Sequence, residues 1–465
     1  MMLKRLCAAL LTAAVSAGAF LTSLPALRAE ALLFTPNCTV QSESAVLMNL
    51  DIGEIVYEKG ADIKQMPAQL VQIMTAVVVL EECDDPTKKR LTAEEEMYDI
   101  FRGAEYQEDL RYANIEAGDT LTVEDLLYAM MLTSSCEAAQ MLVTEFGGGD
   151  EDKFTEKMNE KAAELGMTNT RFTNGTGLYS ARNVTTARDM MTLVQYAVNN
   201  VPRFDVIASA NAYTPPSAEG EGRTDDWTWT HSNLMTQETS EYFYNGVRGI
   251  KTSNSQEGGR CIACKGSRDG NNYLLVCLNS PLEDPEGESH FYHLEDAKNI
   301  LDWAFIHLTF QDVLDESALL GQVKVNNAEG DDVVVLKPAQ GYSCIWCDTT
   351  DINSVQQIFD KPAEVDAPVK AGDKLGTVTL KLSGDTLAEI DLIAASSVER
   401  SFWKYNLSEI PGFFRSKYLK RTWVLAIIFS LIYIALCVFF AFRYHEERKK
   451  RAAARAGHLQ SRNQR

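Results

Sequence analysis

Trp423 to Phe442 is a run of twenty residues without a charge. In hydrocarbon a backbone must satisfy its own N–H and C=O groups, and a single segment does so only as a helix. Twenty apolar residues are long enough to cross a bilayer once. The run is therefore predicted to be a transmembrane helix over 423–442, and whatever else folds must do so on one side of it. Arg443, Arg448, Lys449, Lys450, Arg451, Arg455, Arg462 and Arg465 follow the run, against Arg415, Lys417, Lys420 and Arg421 before it. The heavier basic flank marks the cytoplasmic side. At the other end, Lys4 and Arg5 precede an apolar stretch from Leu6 to Leu24, and the small-residue site Ala29-Glu30-Ala31 follows. That is the layout of a secretory signal peptide over 1–31. The expectation is an exported ectodomain, a juxtamembrane linker over 401–422, one span and a basic cytoplasmic tail over 443–465.

The net charge of −21 conceals a division of labour. Fifteen of the 44 basic residues but only three of the 65 acidic ones lie in residues 1–31 and 415–465, so residues 32–414, the bulk of the ectodomain, carry a net −33. Such a surface repels nucleic acid and anionic polymers, which excludes a nucleic-acid partner. Its 45% apolar content and length are sufficient for two domains with separate cores.

Ser44 to Lys59 has two apolar runs around Asp51-Ile52-Gly53-Glu54, the pattern of a hairpin. Gln69 to Glu82 reads as an apolar helix. Thr122 with Asp125 predicts a capping box opening a helix through Leu132. Glu151 to Leu165 is amphipathic and ends at Gly166. Val247–Thr252, Cys261–Lys265 and Tyr273–Leu278 read as strands. Helices mixed with antiparallel strands predict an α+β domain over 32–308. Short β runs separated by Gly, Asp and Asn turns then predict a small all-β domain over 309–400.

Cys261-x-x-Cys264 and Cys344-x-x-Cys347 have the spacing of zinc ligands. In a strand, however, positions three apart face opposite sides of the sheet. No metal or cofactor is therefore expected. His290 and His293 have helical metal spacing but no evident third ligand.

Several segments together resemble the serine D-alanyl-D-alanine carboxypeptidases, the low-molecular-mass penicillin-binding proteins of peptidase family S11. MPAQLVQIMTAVVVLEE (Met66–Glu82) is similar to the family's nucleophile helix, LLYAMMLTSSCEAAQ (Leu126–Gln140) to its second motif, and VRGIKTSNSQEGGRCIACKG (Val247–Gly266) to its third-motif strand. LGMTNTRFTNGTGL (Leu165–Leu178) and DAPVKAGDKLGTVTL (Asp366–Leu380) are similar to further family segments in the same order, the latter in the C-terminal β domain. The resemblance implies a penicillin-binding, β-lactamase-like transpeptidase domain followed by the small β domain.

The family's chemistry runs on S-x-x-K, S-x-N and K-T-G. The serine attacks the terminal peptide of D-Ala-D-Ala, a lysine one helical turn later takes its proton, and the third-motif strand meets the substrate carboxylate. Here Gln69 stands at the serine position and Gln72 at the lysine position. An amide is no useful nucleophile and has no group to titrate as a base. The second motif keeps Ser134 but has Cys136 for its asparagine; the third keeps Lys251 and Thr252, with Ser253 for glycine. The resemblance assigns Lys251, Thr252 and Ser253 to substrate binding. The other S-x-x-K in the chain, Ser401 to Lys404, adjoins the span and reads as chance, while Ser134 beside Lys251 is a possible improvised pair. Asn174, Gly175 and Gly177 read as turn residues shaping the cleft.

The expectation for function is a cell-surface carboxypeptidase homologue without catalysis. It would bind peptidoglycan stem peptide or a cell-wall protein, and the membrane through its C-terminal helix. The alternatives are a membrane scaffold with a vestigial cleft and an active D,D-carboxypeptidase with displaced catalytic groups. The topology has its own test. Protease added to intact cells should remove the mass of residues 32–422 and leave a small C-terminal fragment; a protected ectodomain would refute the orientation.

Overall fold

A computed structural model describes residues 32–218 and 222–462; the signal-peptide reading of 1–31 lies outside the described residues. The described residues form two compact units, one built on the N-terminal part of the chain and one on most of the C-terminal part.

The first unit is organised by a five-stranded sheet. Its strands are β1 (Ser44–Asn49), β2 (Glu54–Lys59), β3 (Val247–Ser255), β4 (Gly259–Arg268) and β5 (Asn271–Ser280), in the order β2-β1-β5-β4-β3 with every characterised pair antiparallel. The expected hairpin over 44–59 is β1–β2, and Gly53 in its turn has φ +70°, where glycine alone avoids a steric penalty.

The sheet is covered on both faces, which explains why its central strands read as continuous apolar runs rather than alternating ones. On β5, Leu274, Val276 and Leu278 pack into one core, while Tyr273, Leu275 and Cys277 pack into another. The first core is shared with α1 (Gln72–Glu82), α2 (Val123–Thr133), α3 (Cys136–Gly147), α4 (Glu151–Glu164) and α5 (Ala187–Asn200). The second is shared with α6 (Tyr292–His307). Strand alternation also separates the first Cys-x-x-Cys pair, with Cys261 in one core and Cys264 in the other.

The local signals for α2 and α4 are realised. Thr122 caps α2, accepting from Asp125 N–H while the Asp125 carboxylate accepts from Thr122 N–H. Gly166, at φ +77°, follows the end of α4. The helix read from Gln69 differs at its start. Ala68–Val71 is a 3-10 turn, and the α-helix begins at Gln72.

The six-stranded sheet of the C-terminal region contains β6 (Gln322–Asn326), β7 (Val333–Pro338), β8 (Gln356–Asp360), β9 (Glu364–Asp366), β10 (Lys374–Leu382) and β11 (Asp385–Ala394), ordered β8-β10-β11-β7-β6-β9. The strand Tyr342–Cys347 pairs separately with Leu308–Leu314. Ser401 accepts from the Lys404 backbone N–H, and the Lys404 amine donates to Ala328 C=O, so this serine and lysine do not form a side-chain pair. The segment before the uncharged run is helical as α7 (Phe402–Arg415), and α8 (Lys417–Arg462) contains the run itself. Its most apolar window has mean hydropathy 2.9, and it is long and apolar enough to cross a membrane. A helix of 46 residues is about 70 Å long, more than twice the roughly 30 Å of hydrocarbon.

One buried ammonium ties the first sheet to its helices. Lys251 on β3 is 0% exposed, and its Nζ donates to Met130 C=O at 2.8 Å, Met131 C=O at 3.1 Å and Ser134 Oγ at 2.8 Å. All three protons of an ammonium are thereby used on the last turn of α2 and the residue that ends it. Lys251→Met keeps much of the bulk and strands three acceptors, so it should lower stability by about 1–3 kcal/mol. Thermal melting of the full-length chain in detergent checks this; an unchanged midpoint would mean that these contacts contribute nothing net.

Candidate functional site

The α2–α3 junction positions the first cleft residue. Ser134 ends α2 in the left-handed region at φ 64°, a conformation that costs a non-glycine residue energy and must be held by its surroundings. The Ser135 hydroxyl caps α3 by accepting from Ala138 N–H at 3.0 Å. Between those two helix ends the Ser134 hydroxyl is held by Lys251 and lies 3.5 Å from Thr252 C=O.

Ser134, Gln69, Thr252, Ser253 and Asn254 line one cleft of about 280 Å³. The 3-10 turn before α1 delivers Gln69, and β3 delivers the other wall. Gln69 is 2% exposed and spans the walls. Its amide N–H donates to Asp109 C=O at 3.1 Å, and its amide oxygen accepts from Asn254 N–H at 3.3 Å. Gly177, at φ +86°, lies so near that a Cβ there would be 2.8 Å from Gln69 Cα. The turn before it is fixed by Asn174, whose side chain accepts from Gly177 N–H and donates to Leu178 C=O. Gly175 is fixed by packing instead: a Cβ would meet Val143 at 2.6 Å.

Gln72 is fully buried one turn on. Its amide nitrogen donates to Thr176 C=O at 2.7 Å and Ser134 C=O at 3.3 Å, while its amide oxygen has no hydrogen-bond partner. It therefore stitches α1 to the Ser134 junction and the turn at Thr176.

The remaining motif residues divide. Thr252 Oγ1 is hydrogen-bonded to Ser232 Oγ at 2.8 Å at the cleft wall. Lys251 is not on the cleft surface; its charge reaches the cleft only through Ser134. Burial pulls the Lys251 amine down to about 7, while its three acceptors favour the charged form. Cys136 does not line the cleft either. It packs with Phe101 and Leu110, and burial pushes its thiol up to about 11, so it is an inert hydrophobe.

Beyond the motif positions, three residues with ionisable side chains line the cleft: Arg111, Arg260 and His293. His293 entered the sequence analysis only through its spacing to His290. His290 precedes α6 and bonds Glu295 at 3.1 Å, whereas His293 lies within the helix, 4% exposed. Among the described residues no group of three or more His, Cys, Asp or Glu could hold a metal. Burial, and then the Arg260 charge, pull the His293 imidazole down to about 3, so the ring is neutral at physiological pH.

Comparison with known proteins accords with this architecture. Residues 31–281 match the family model described as D-alanyl-D-alanine carboxypeptidase, just over half of the chain, and residues 311–400 match that of the penicillin-binding protein 5 C-terminal domain. The D-alanyl-D-alanine carboxypeptidase DacF of Bacillus subtilis is 26% identical over 366 residues, covering 78% of this chain and 87% of that protein. DacC of Escherichia coli is 24% identical over 392 residues, covering 83% and 91%. Among solved structures, the carboxypeptidase DacD of Francisella tularensis superposes with a TM-score of 0.59 at 19% identity, over 82% of this chain and all of that one. At that identity the likeness concerns the fold. The family-model match carries more: this chain belongs to the D-alanyl-D-alanine carboxypeptidase family, with a penicillin-binding-type α+β domain followed by an all-β domain.

Proposed function

We propose that this chain is a membrane-anchored D-alanyl-D-alanine carboxypeptidase homologue that binds peptidoglycan stem peptide and does not cleave it. The observation that carries this reading is the engagement of Gln69. At the position matching the family nucleophile, a side-chain amide bridges Asp109 C=O and Asn254 N–H across the cleft. The matching base position, Gln72, is spent on two backbone carbonyls. Neither group can attack a carbonyl or take a proton, and losing such a nucleophile costs about a million-fold in another serine hydrolase. The substrate class is carried over from the carboxypeptidase relatives. A cell-wall protein is the other partner of suitable location. In this reading residues 32–308 and 309–400 are the two domains of an exported ectodomain, residues 423–442 anchor it in the cell membrane, and the basic tail faces the cytoplasm.

One observation favours a second reading. Ser134 Oγ and Lys251 Nζ are 2.8 Å apart, which is nucleophile-to-base distance. An amine pulled towards neutral pKa would be a competent base for that serine. Against it, the Met130 and Met131 carbonyls and the Ser134 hydroxyl favour the charged ammonium, which must lose a proton before it can take the serine's.

Intact-mass analysis of the full-length chain after exposure to a β-lactam separates the two readings. No adduct is expected. An adduct on Ser134 would replace the first reading by the second. Gln69→Ser combined with Gln72→Lys should recover measurable acylation, and either change alone much less, because nucleophile and base act as a unit. A folded double variant as unreactive as the wild type would show that more than these two groups has been lost.

A further inference from the structure

A short arc of chain reaches across the cleft, and none of the motif positions belongs to it. Phe101 and Leu110 are 3% and 7% exposed and pack in one small cluster with Cys136. Residues 102–109 leave that cluster and return to it, and of them only Asp109 is buried. The backbone bonds of the stretch are local: Ala104 N–H to Phe101 C=O, Asp109 N–H to Tyr106 C=O and Leu110 N–H to Gln107 C=O. The Gln107 amide adds two more, to Phe101 and Ala104 carbonyls, each at 2.9 Å. An arc with neighbouring ends and its own internal bonds is an Ω-type loop, able to move as a unit.

Three hydrogen bonds and one ring contact tie this arc to the far walls. The Gln69 amide donates to Asp109 C=O at 3.1 Å. The Asp109 carboxylate accepts from Gln256 N–H, at 3.1 and 3.3 Å to its two oxygens, in the turn that joins β3 to β4. In the same turn Glu257 accepts from the Tyr106 hydroxyl at 2.7 Å. The Tyr106 ring meets Tyr179 edge-on at 4.9 Å. With these contacts made, the hollow between Asp109, Gly177, Tyr179 and Ser255 is about 10 Å³, room for one water. The cleft that Gln69 itself lines is about 280 Å³. Polar contacts of this kind are exchanged for water on opening, so each contributes little net and the closed arrangement is readily undone.

We propose that residues 102–109 are a gate closed over one end of the cleft and that Gln69 is its catch. The amide that stands at the family's nucleophile position holds Asp109 C=O with its nitrogen and Asn254 N–H with its oxygen, so it ties the arc to β3. A serine there would be too short to bridge both walls. The glutamine therefore adds a closed state in which a peptide cannot extend past Gln69, and binding waits on the open fraction. What the gate admits rests on the peptide-binding reading; the closure itself does not.

Hydrogen exchange of the full-length chain in detergent, resolved to single amides and without ligand, tests the closure. Gln69→Ala should speed exchange of the Gln256 amide about tenfold. That amide is held by Asp109, which the substitution leaves in place, so only movement of the arc can release it. The amides of β5 should be unchanged, which controls for the fold. Tyr106→Phe removes the Glu257 contact at the rim without touching Gln69, and should speed the same amide a few-fold. Unchanged Gln256 exchange in both variants would overturn the gate, and Tyr106→Phe decides alone if Gln69→Ala fails to fold. Calorimetry with an acyl-D-Ala-D-Ala peptide then tests the control of binding. Tyr106→Phe should bind more tightly than the wild type by the factor seen in exchange, because both report the open fraction. Faster exchange with unaltered affinity would overturn that control. If no form of the protein binds the peptide, the peptide-binding reading fails, and the exchange result still sustains or ends the closure.

Discussion

The contact on which the rest of the cleft depends is the buried ammonium of Lys251. A lysine at 0% exposure is tolerable only where its protons are used, and here the end of α2 uses all three. The consequence is geometric. β3 and the α2–α3 junction cannot drift apart without baring that charge, so Ser134 is held in its left-handed conformation beside Thr252. Gln72 adds a second stitch from α1 to the same junction, and Gln69 a third across to β3. These polar groups supply cohesion. The replacement of nucleophile and base that we propose is compatible with a well-formed cleft, because both glutamine amides make hydrogen bonds of their own.

Much of this was legible in the sequence, for identifiable reasons. The Asp51–Glu54 turn and the Thr122/Asp125 box are local devices, and the structure realises both. The family segments announced the α+β domain because motif order is preserved along the chain. What was not legible depends on distant partners. Strand β8 is exposed throughout, so no apolar alternation marked it. The 3-10 turn at Gln69 packs against Gly177, more than a hundred residues away. Nothing local to Lys251 shows that three acceptors surround it. Arg260 lies within the third-motif segment but at none of its motif positions, and His293 is marked only by its spacing to His290. What sets them apart is a missing hydrogen-bond partner, at Arg260 Nε and His293 Nδ1, and a missing partner appears only once the fold is known.

The charge distribution gives the cleft its character. Residues 32–414 are strongly acidic, and an anionic peptide approaching them meets repulsion except where cationic groups are concentrated. The cleft is such a place, with Arg111 and Arg260 on its walls and Lys251 behind Ser134. A helix long and apolar enough to cross a membrane follows the β domain. The hydrogen-bonded amides of Gln69 and Gln72 in and beside that cleft are what supports the proposed peptide-binding reading.

The most direct measurement follows a single labelled peptide through both fates. The full-length chain is incubated with an acyl-D-Ala-D-Ala peptide carrying isotope in its last residue, then separated from free ligand by rapid filtration. The account predicts intact peptide retained on the protein and no released D-alanine above a protein-free control. Released D-alanine would contradict it by revealing turnover, and the absence of any retained peptide at millimolar ligand would contradict it by showing the cleft to be empty of function.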